Sequence, residues 1–460
     1  MSAEWYPIPL VMMRCSRCCT FRTARNRICT EGRSSIRLGM QVQAVLLVKL
    51  SPFGGMQFHG SLRRLKSAAQ LLNPTFSWRL FGLDCPVELN YGPQCICDFW
   101  PYETYNIYCN ASSPAELDTI QQTFDQTPIV GHYEVKISLT APMSIPANMF
   151  SSKTAAFITF ECRGDGVKLG TIDPQAFIAS AGKTSAFQIM SCDLTEFDFA
   201  FLAQLRVLET IRIADCTLTT MARMPLMPHM RMIELYSPTG LREWYDPAQT
   251  PFLDTIIINA AKDTDQDTME TIVDTLLYYT NSLLRLYLVN LGLTRIPPTT
   301  RNFTSLNTID FSENQISTLP SGSLAFTSTL NSLWLGNMPL QNIEPDAFQG
   351  NYRAALVYMV FGKLTTFPRE TYELLLEQMI YASGSIDIYG NPIVCDDCHL
   401  GWLINEKRYL LTRVSGTCAN GTSFDQLDSQ AYDTRCQKSI GLLTKASSLL
   451  VILVLLLHLL

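Results

Sequence analysis

Leu283-x-x-Leu286-x-Leu288-x-x-Leu291-x-Leu293-x-x-Ile296-Pro297 is followed by Leu306-x-x-Ile309-x-Phe311-x-x-Asn314-x-Ile316-x-x-Leu319-Pro320, and then by Leu330-x-x-Leu333-x-Leu335-x-x-Met338-x-Leu340-x-x-Ile343. The frame continues at Val357-x-Met359-x-x-Gly362-x-Leu364-x-x-Phe367-Pro368 and ends at Ile386-x-Ile388-x-x-Asn391-Pro392. Upstream it is met at Phe187-x-Ile189, Ile211-x-Ile213, Ile233-x-Leu235 and Ile256-x-Ile258, with steps from Phe187 to Ile386 of 24, 22, 23, 30, 23, 24, 24 and 29 residues. Two degenerate copies precede these, at Val135-x-Ile137 and Ile158-x-Phe160, making about eleven repeats. An apolar-x-apolar triplet is a short strand whose period of two sends both apolar residues to one face. One such unit cannot bury its apolar side alone, whereas stacked units share a continuous core. The expected fold is therefore a solenoid with a curved parallel sheet on its concave side and an irregular, short-helical convex side.

The Asn slot of each repeat (Asn314, Asn391) should bond backbone groups left free where the chain leaves the strand. Cys192 and Cys216 fill the same slot. They are expected to be small buried residues, neither a disulfide nor a metal pair.

Cysteines crowd both ends of the repeat array. Cys85, Cys95, Cys97 and Cys109 lie before it, and Cys395, Cys398, Cys418 and Cys436 after it. Two even-numbered clusters around a cysteine-poor middle point to an oxidising compartment, and four cysteines allow three connectivities in each. Three N-x-S/T sequons, at Asn110, Asn302 and Asn420, fit the same compartment.

Repeats and caps together resemble the extracellular leucine-rich-repeat proteins, over residues 83–437. Cys85-Pro86…Cys95-Ile96-Cys97…Cys109 is similar to the N-terminal cap of that family. Asn391-Pro392-Ile393-Val394-Cys395-Asp396-Asp397-Cys398-His399-Leu400-Gly401-Trp402, with Cys418 and Cys436, is similar to its C-terminal cap, though two residues stand between the first two cysteines where the family has one. The resemblance implies first-to-third and second-to-fourth pairing: Cys85–Cys97, Cys95–Cys109, Cys395–Cys418 and Cys398–Cys436. A finer likeness, carried by Asp84–Asn110 and Pro146–Phe150, is to an arthropod group named for the non-catalytic subunit of a luciferin monooxygenase. It implies a partner-binding subunit without oxygenase chemistry.

These readings divide the chain into an extension (1–82), an N-terminal cap (83–110), repeats (130–393), a C-terminal cap (394–437) and a tail (438–460). The extension reads as a leader, a pro-segment or a gene-model artefact; its best leader core, Val42–Leu50, is interrupted by Lys49. The tail ends in the apolar stretch Leu449–Leu460, too short to span a bilayer, which needs roughly 20 residues. Small residues, a spacer and a terminal apolar run form the pattern of a glycolipid-attachment signal, with Ser439 the preferred site and Gly441, Ala446 or Ser447 as alternatives. A short membrane helix from Ile440 is the rival reading. Either way the chain is expected on the outer side of the plasma membrane.

The residues between the apolar strand positions should face the concave surface. In order they are Lys136, Thr159, Gln188, Arg212, Glu234, Ile257, Tyr287, Asp310, Trp334, Tyr358 and Asp387, with Tyr236 and Tyr389 just beyond their strands. Tyr287, Asp310, Trp334, Tyr358, Asp387 and Tyr389 are the candidate ligand-binding stripe, because aromatic anchors beside fixed charges make binding hot spots. The expected ligand is an extracellular protein or receptor, engaged for recognition or adhesion. A subunit stabilising a partner enzyme and a matrix component are the alternatives. Arg163-Gly164-Asp165 is an RGD tripeptide, read as a glycine-rich turn or an adhesion-receptor motif.

Catalysis is not expected. The five histidines have no metal-ligand spacing, and nucleophile, phosphate-loop and metalloprotease motifs are absent. No cofactor or metal is expected. With 35 basic against 41 acidic residues overall, nucleic acid is not an expected partner.

Overall fold

Each repeat contributes one short strand to the main sheet, where every strand lies beside the next in the sequence; Met143–Ile145 with Leu169–Ile172, and Thr318–Leu319 with Asn342–Ile343, form two further two-stranded sheets. The computed structural model of the chain describes residues 94–100, 104–126, 133–150, 155–396, 398–430 and 432, all within the compact unit Thr75–Leu460. Fourteen strands form one sheet in chain order. They are β1 (Cys95–Trp100), β2 (Thr104–Ala111), β3 (Tyr133–Leu139), β4 (Phe157–Cys162), β5 (Ala186–Met190), β6 (Thr210–Ala214) and β7 (Met232–Tyr236). The sheet continues through β8 (Thr255–Asn259), β9 (Arg285–Val289), β10 (Thr308–Asp310), β11 (Ser332–Trp334), β12 (Leu356–Tyr358), β13 (Ser385–Asp387) and β14 (Val414–Ser415). Only β1–β2 is antiparallel; every later pair is parallel, as one-way stacking of identical units requires. The molecule is a leucine-rich-repeat solenoid.

The register puts Leu286, Ile309, Leu333, Val357 and Ile386 directly side by side, each no more than 1% exposed. The same column runs back through Ile256, Ile233, Ile211, Phe187, Ile158 and Val135 to Ile107. Burying each such side chain is worth about 1.5–3 kcal/mol, so the column is the main adhesive between repeats.

The two longest steps of the repeat hold helices. Helix α2 (Gln266–Leu276) fills the 30-residue step, and α3 (Arg369–Ile380) the 29-residue step before Ile386; α1 (Pro114–Gln126) precedes the repeats. In α2 the buried residues Met269, Ile272, Val273 and Leu276 follow helical spacing, and Asp265 caps its start by accepting the Thr268 N–H at 2.8 Å. In α3 Tyr372, Leu375, Leu376 and Met379 do the same.

Where the chain leaves each strand, a backbone device recurs. The fourth residue after the first apolar strand position has positive φ in nine consecutive repeats: Ser191, Asp215, Ser237, Ala260, Asn290, Glu313, Asn337, Phe361 and Gly390. In the first eight of these its N–H bonds a carbonyl of the following repeat, from Ser191 to Ala214 through Phe361 to Tyr389. The next residue is the Asn slot. Asn314 accepts the N–H groups of Leu291 and Leu293 of the preceding repeat, and donates to the carbonyls of Leu288 and Phe311. Cys216 copies this at lower strength: its sulfur accepts the Cys192 N–H at 3.3 Å and faces the Ala214 carbonyl at 3.2 Å.

Cys216 is a free, buried thiol, as the sequence led one to expect. Cys192 is not. It forms a disulfide with Cys162, a correction to the reading of Cys192 as a plain small residue. The reason is geometric: β4 and β5 are neighbours in register, and Cys162 at the end of β4 stands beside the slot that Cys192 fills. Cys95–Cys109 ties β1 to β2, and Cys395–Cys418 closes a loop within the C-terminal cap. Cys97 and Cys398 are also disulfide-bonded; their expected partners, Cys85 and Cys436, lie outside the described residues.

The C-terminal cap closes the core with Trp402, whose ring lies parallel to Phe367 and whose Nε1–H donates to the Phe367 carbonyl at 3.2 Å. Outside it, Arg369 pairs with Glu373 and Glu406, and Lys407 with Glu373 and Glu377.

Candidate ligand-binding face

The residues between the apolar strand positions form one uninterrupted row across the sheet. Lys136, Thr159, Gln188, Arg212, Glu234, Ile257, Tyr287, Asp310, Trp334, Tyr358 and Asp387 are successive register partners. They share the concave face because each is flanked by two inward apolar residues.

The row is not uniform. Its N-terminal half is closed by its own ion pairs. Lys136 meets Glu161 at 3.1 Å, Arg163 meets the same carboxylate at 2.9 Å, and Arg212 pairs with Glu234. The Arg212 guanidinium also lies over the Tyr236 ring, 5.6 Å from its centre. Thr159, Gln188 and Glu234 are buried, although they were expected on an open surface. Glu234 is held there against the Arg212 guanidinium. Burial alone would raise the Glu161 carboxyl, but the hydrogen bonds from Lys136, Ser138 and Arg163 outweigh it and hold the group below its ordinary value.

The C-terminal half is open. Trp334 and Tyr358 stack with ring centres 3.9 Å apart and planes 19° apart, and Trp334 is 37% exposed. Just beyond them Phe361 and Tyr389, 57% and 53% exposed, meet edge to face at 5.7 Å. Asp310 and Asp387 bracket the stacked pair. Each carboxylate accepts one backbone N–H, from Ser312 at 2.8 Å and from Tyr389 at 3.0 Å. Neither makes an ion pair with a described residue, in contrast to Glu161 and Glu234. Burial, with Glu313 adding repulsion, pushes the Asp310 carboxyl above its usual value. Burial likewise raises the Tyr287 hydroxyl.

Phe361 was not among the residues singled out from the sequence. It occupies the positive-φ slot, which the other repeats fill with Ser, Asp, Ala, Asn, Glu or Gly. A bulky side chain in the left-handed region costs about 1–2 kcal/mol. The neighbouring repeat accommodates it with Gly390: a Cβ there would stand 2.5 Å from the Phe361 ring. Alignment of the repeats by that slot would have revealed it.

The remaining sequence candidates fall elsewhere. Asn110, Asn302 and Asn420 are exposed. Arg163 of the RGD tripeptide donates to Glu161 and to Asn110 Oδ1, while Asp165 lines a cleft with Gly164, Gly166, Asp193, Asp215 and the Cys162–Cys192 bridge. The Arg163 and Asp165 side chains thus serve different local settings. Ser439 lies outside the described residues. Among the described residues no cluster of three His, Cys, Asp or Glu has metal-binding geometry, and no helix is long and apolar enough to cross a membrane.

No protein-family model matches the chain. It is 24% identical over 373 residues to the Oplophorus-luciferin 2-monooxygenase non-catalytic subunit of Oplophorus gracilirostris, covering 77% of this chain and 88% of that protein. Among solved structures, a chain of the Toll–Spatzle complex of Drosophila aligns over 67% of this chain at 17% identity and a TM-score of 0.43, and the match spans 43% of that chain, under half its length. A chain of the octameric Latrophilin 3, Unc5D and FLRT2 complex aligns over 73% of this chain and 97% of that one, at 15% identity and a TM-score of 0.43. At such scores the likeness is loose, and the fold assignment stands on the strand register itself. The chain is a leucine-rich-repeat protein with disulfide-stapled ends, and it resembles the non-catalytic subunit of the Oplophorus enzyme.

Proposed function

We propose that the chain is a non-catalytic, extracellular binding protein that holds a protein ligand on the C-terminal half of its concave face. The observation carrying this is the aromatic cluster of exposed Trp334, Phe361 and Tyr389 with half-buried Tyr358, its stacked pair Trp334–Tyr358 set between two carboxylates that have no ion-pair partner among the described residues. Solvent-facing aromatic groups on a rigid sheet lose little entropy on binding and supply large contact area. The disulfides support an oxidising, extracellular setting.

Attachment to the outer plasma membrane through residues 438–460, at Ser439, belongs to the same reading; recognition or adhesion is its purpose. Treating cells that express the chain with a phosphatidylinositol-cleaving enzyme should release it. Retention would remove the glycolipid anchor and favour a membrane helix from Ile440.

A second reading, a subunit that stabilises a partner enzyme, is favoured by the 24% identity to the Oplophorus non-catalytic subunit. Stoichiometric co-purification with an enzyme chain would select it. In both readings Trp334→Ala with Tyr358→Ala should abolish ligand retention by the purified chain; unchanged retention would exclude the aromatic cluster as the contact.

A further inference from the structure

The concave face binds a guanidinium group of its own. In the N-terminal half, Arg212 lies between the Glu234 carboxylate and the Tyr236 ring. The C-terminal half repeats the receptor without the cation. Asp310, Trp334, Tyr358 and Asp387 are consecutive in register, and no described basic residue pairs with either carboxylate. An aromatic face attracts a cation through its quadrupole, more strongly once water is excluded, and a carboxylate beside it adds charge complementarity. The mild overall charge hides a marked asymmetry that favours the same partner. Twelve of the 35 basic residues but only two of the 41 acidic ones precede residue 83, so residues 83–460 carry 23 basic against 39 acidic groups. Such a surface steers cations towards it.

We infer that the occupant of the C-terminal concave face is an arginine-bearing segment of the protein ligand, its guanidinium groups packed on Trp334 and Tyr358 and paired with Asp310 and Asp387. The inference rests on the concave-face reading above and specifies the ligand's chemistry. Spacing sharpens it. Strands lie roughly 4.8 Å apart, so three steps from Asp310 to Asp387 span roughly 14 Å. An extended peptide advances about 3.4 Å per residue, so arginines about four residues apart reach both carboxylates together.

The test uses the full chain and fluorescein-labelled nona-arginine, followed by fluorescence anisotropy. A nona-glutamate peptide and a neutral Ser-Tyr repeat peptide serve as comparisons. Asp310→Asn with Asp387→Asn, and separately Trp334→Ala, should each weaken nona-arginine binding by about tenfold or more, the scale of a lost hot-spot contact. Glu196→Gln with Glu243→Gln removes the same charge from exposed positions outside the row and should change it less than about twofold, as expected for screened surface charge. Thermal unfolding of each variant confirms that it folds. Equal weakening by the two charge-removing pairs, absent nona-arginine binding, or tighter nona-glutamate binding would overturn the inference. If the neutral peptide bound and lost affinity in Trp334→Ala but not in the aspartate pair, the cation would be wrong and the concave-face reading intact. If no peptide responded to Trp334→Ala, both would fall.

Discussion

The two halves of the concave face are built on one backbone frame and differ in what their side chains have left to do. Between β3 and β7 every charge of the row has a partner in the chain: Lys136 and Arg163 share Glu161, and Arg212 has Glu234 and Tyr236. Between β10 and β13, Asp310 and Asp387 have backbone donors and no cationic partner among the described residues, and Trp334, Phe361 and Tyr389 are exposed. Paired charges offer a partner little, because binding must first undo contacts already made. Unpaired carboxylates beside exposed rings leave interaction energy for something outside the chain. Position in the row therefore separates a self-paired face from an open one more clearly than residue type does.

The halves differ in their slots as well as on their surface, and the largest expected effect lies there. Asn314→Ala deprives two N–H groups and two carbonyls of their partners, and should cost about 3 kcal/mol or more, each buried orphan being worth about 1–3 kcal/mol. Cys216→Ala, in the equivalent slot, removes only weak sulfur bonds and should cost about 1 kcal/mol. Denaturant titration of both variants measures the difference. Equal costs would mean that the slot is held by packing alone.

A smaller effect, of opposite sign, is expected at Phe361. Asn tolerates positive φ, so Phe361→Asn should stabilise the fold by about 1 kcal/mol while weakening ligand binding. Calorimetric unfolding reads the first and anisotropy the second. A variant that loses stability would show that the ring is a packing element.

The smallest effect concerns Asp310. Its carboxyl titrates above the ordinary aspartate value of 3.8, mainly through burial. The neutral form is therefore the one the fold prefers. Its stabilising contribution is complete below the unfolded value and is lost as pH rises through the higher folded one. Asp310→Asn should thus slightly raise the unfolding temperature at neutral pH and leave it unchanged in acid. Glu313, Tyr287 and Arg285 also act on this group or its neighbour, so the comparison is made within one variant pair across pH. A fall at neutral pH would mean that the charged form is held by a cation after all.

Much of this was legible in the sequence because a repeat prints the same physics many times. The column Leu286, Ile309, Leu333, Val357 and the row Asp310, Trp334, Tyr358, Asp387 follow from a period of two inside a period near 24. What was not legible depends on contacts between repeats that periodicity does not encode. The Cys162–Cys192 bridge needs the register of β4 on β5, because the repeat frame assigns Cys192 to a slot that Cys216 fills as a thiol. Burial pushes that Cys216 thiol up to about 12, so it stays protonated and inert, and nothing in its sequence setting distinguished it from Cys192. The burial of Thr159 and Gln188 is not encoded by period-two alternation, which places both on the open face. Phe361 was overlooked because its importance comes from a backbone angle. That the strands of the N-terminal cap pair directly with the first repeat, extending the solenoid's own sheet, was likewise not legible from spacing.

The division of the concave face is tested most directly by hydrogen–deuterium exchange of the full chain with and without saturating nona-arginine. The account expects slowed exchange in segments 308–313, 332–337, 356–361 and 385–390, and none in 186–190 or 210–214, where the charges are already paired. Protection centred on the N-terminal segments, or spread evenly along the row, would contradict it.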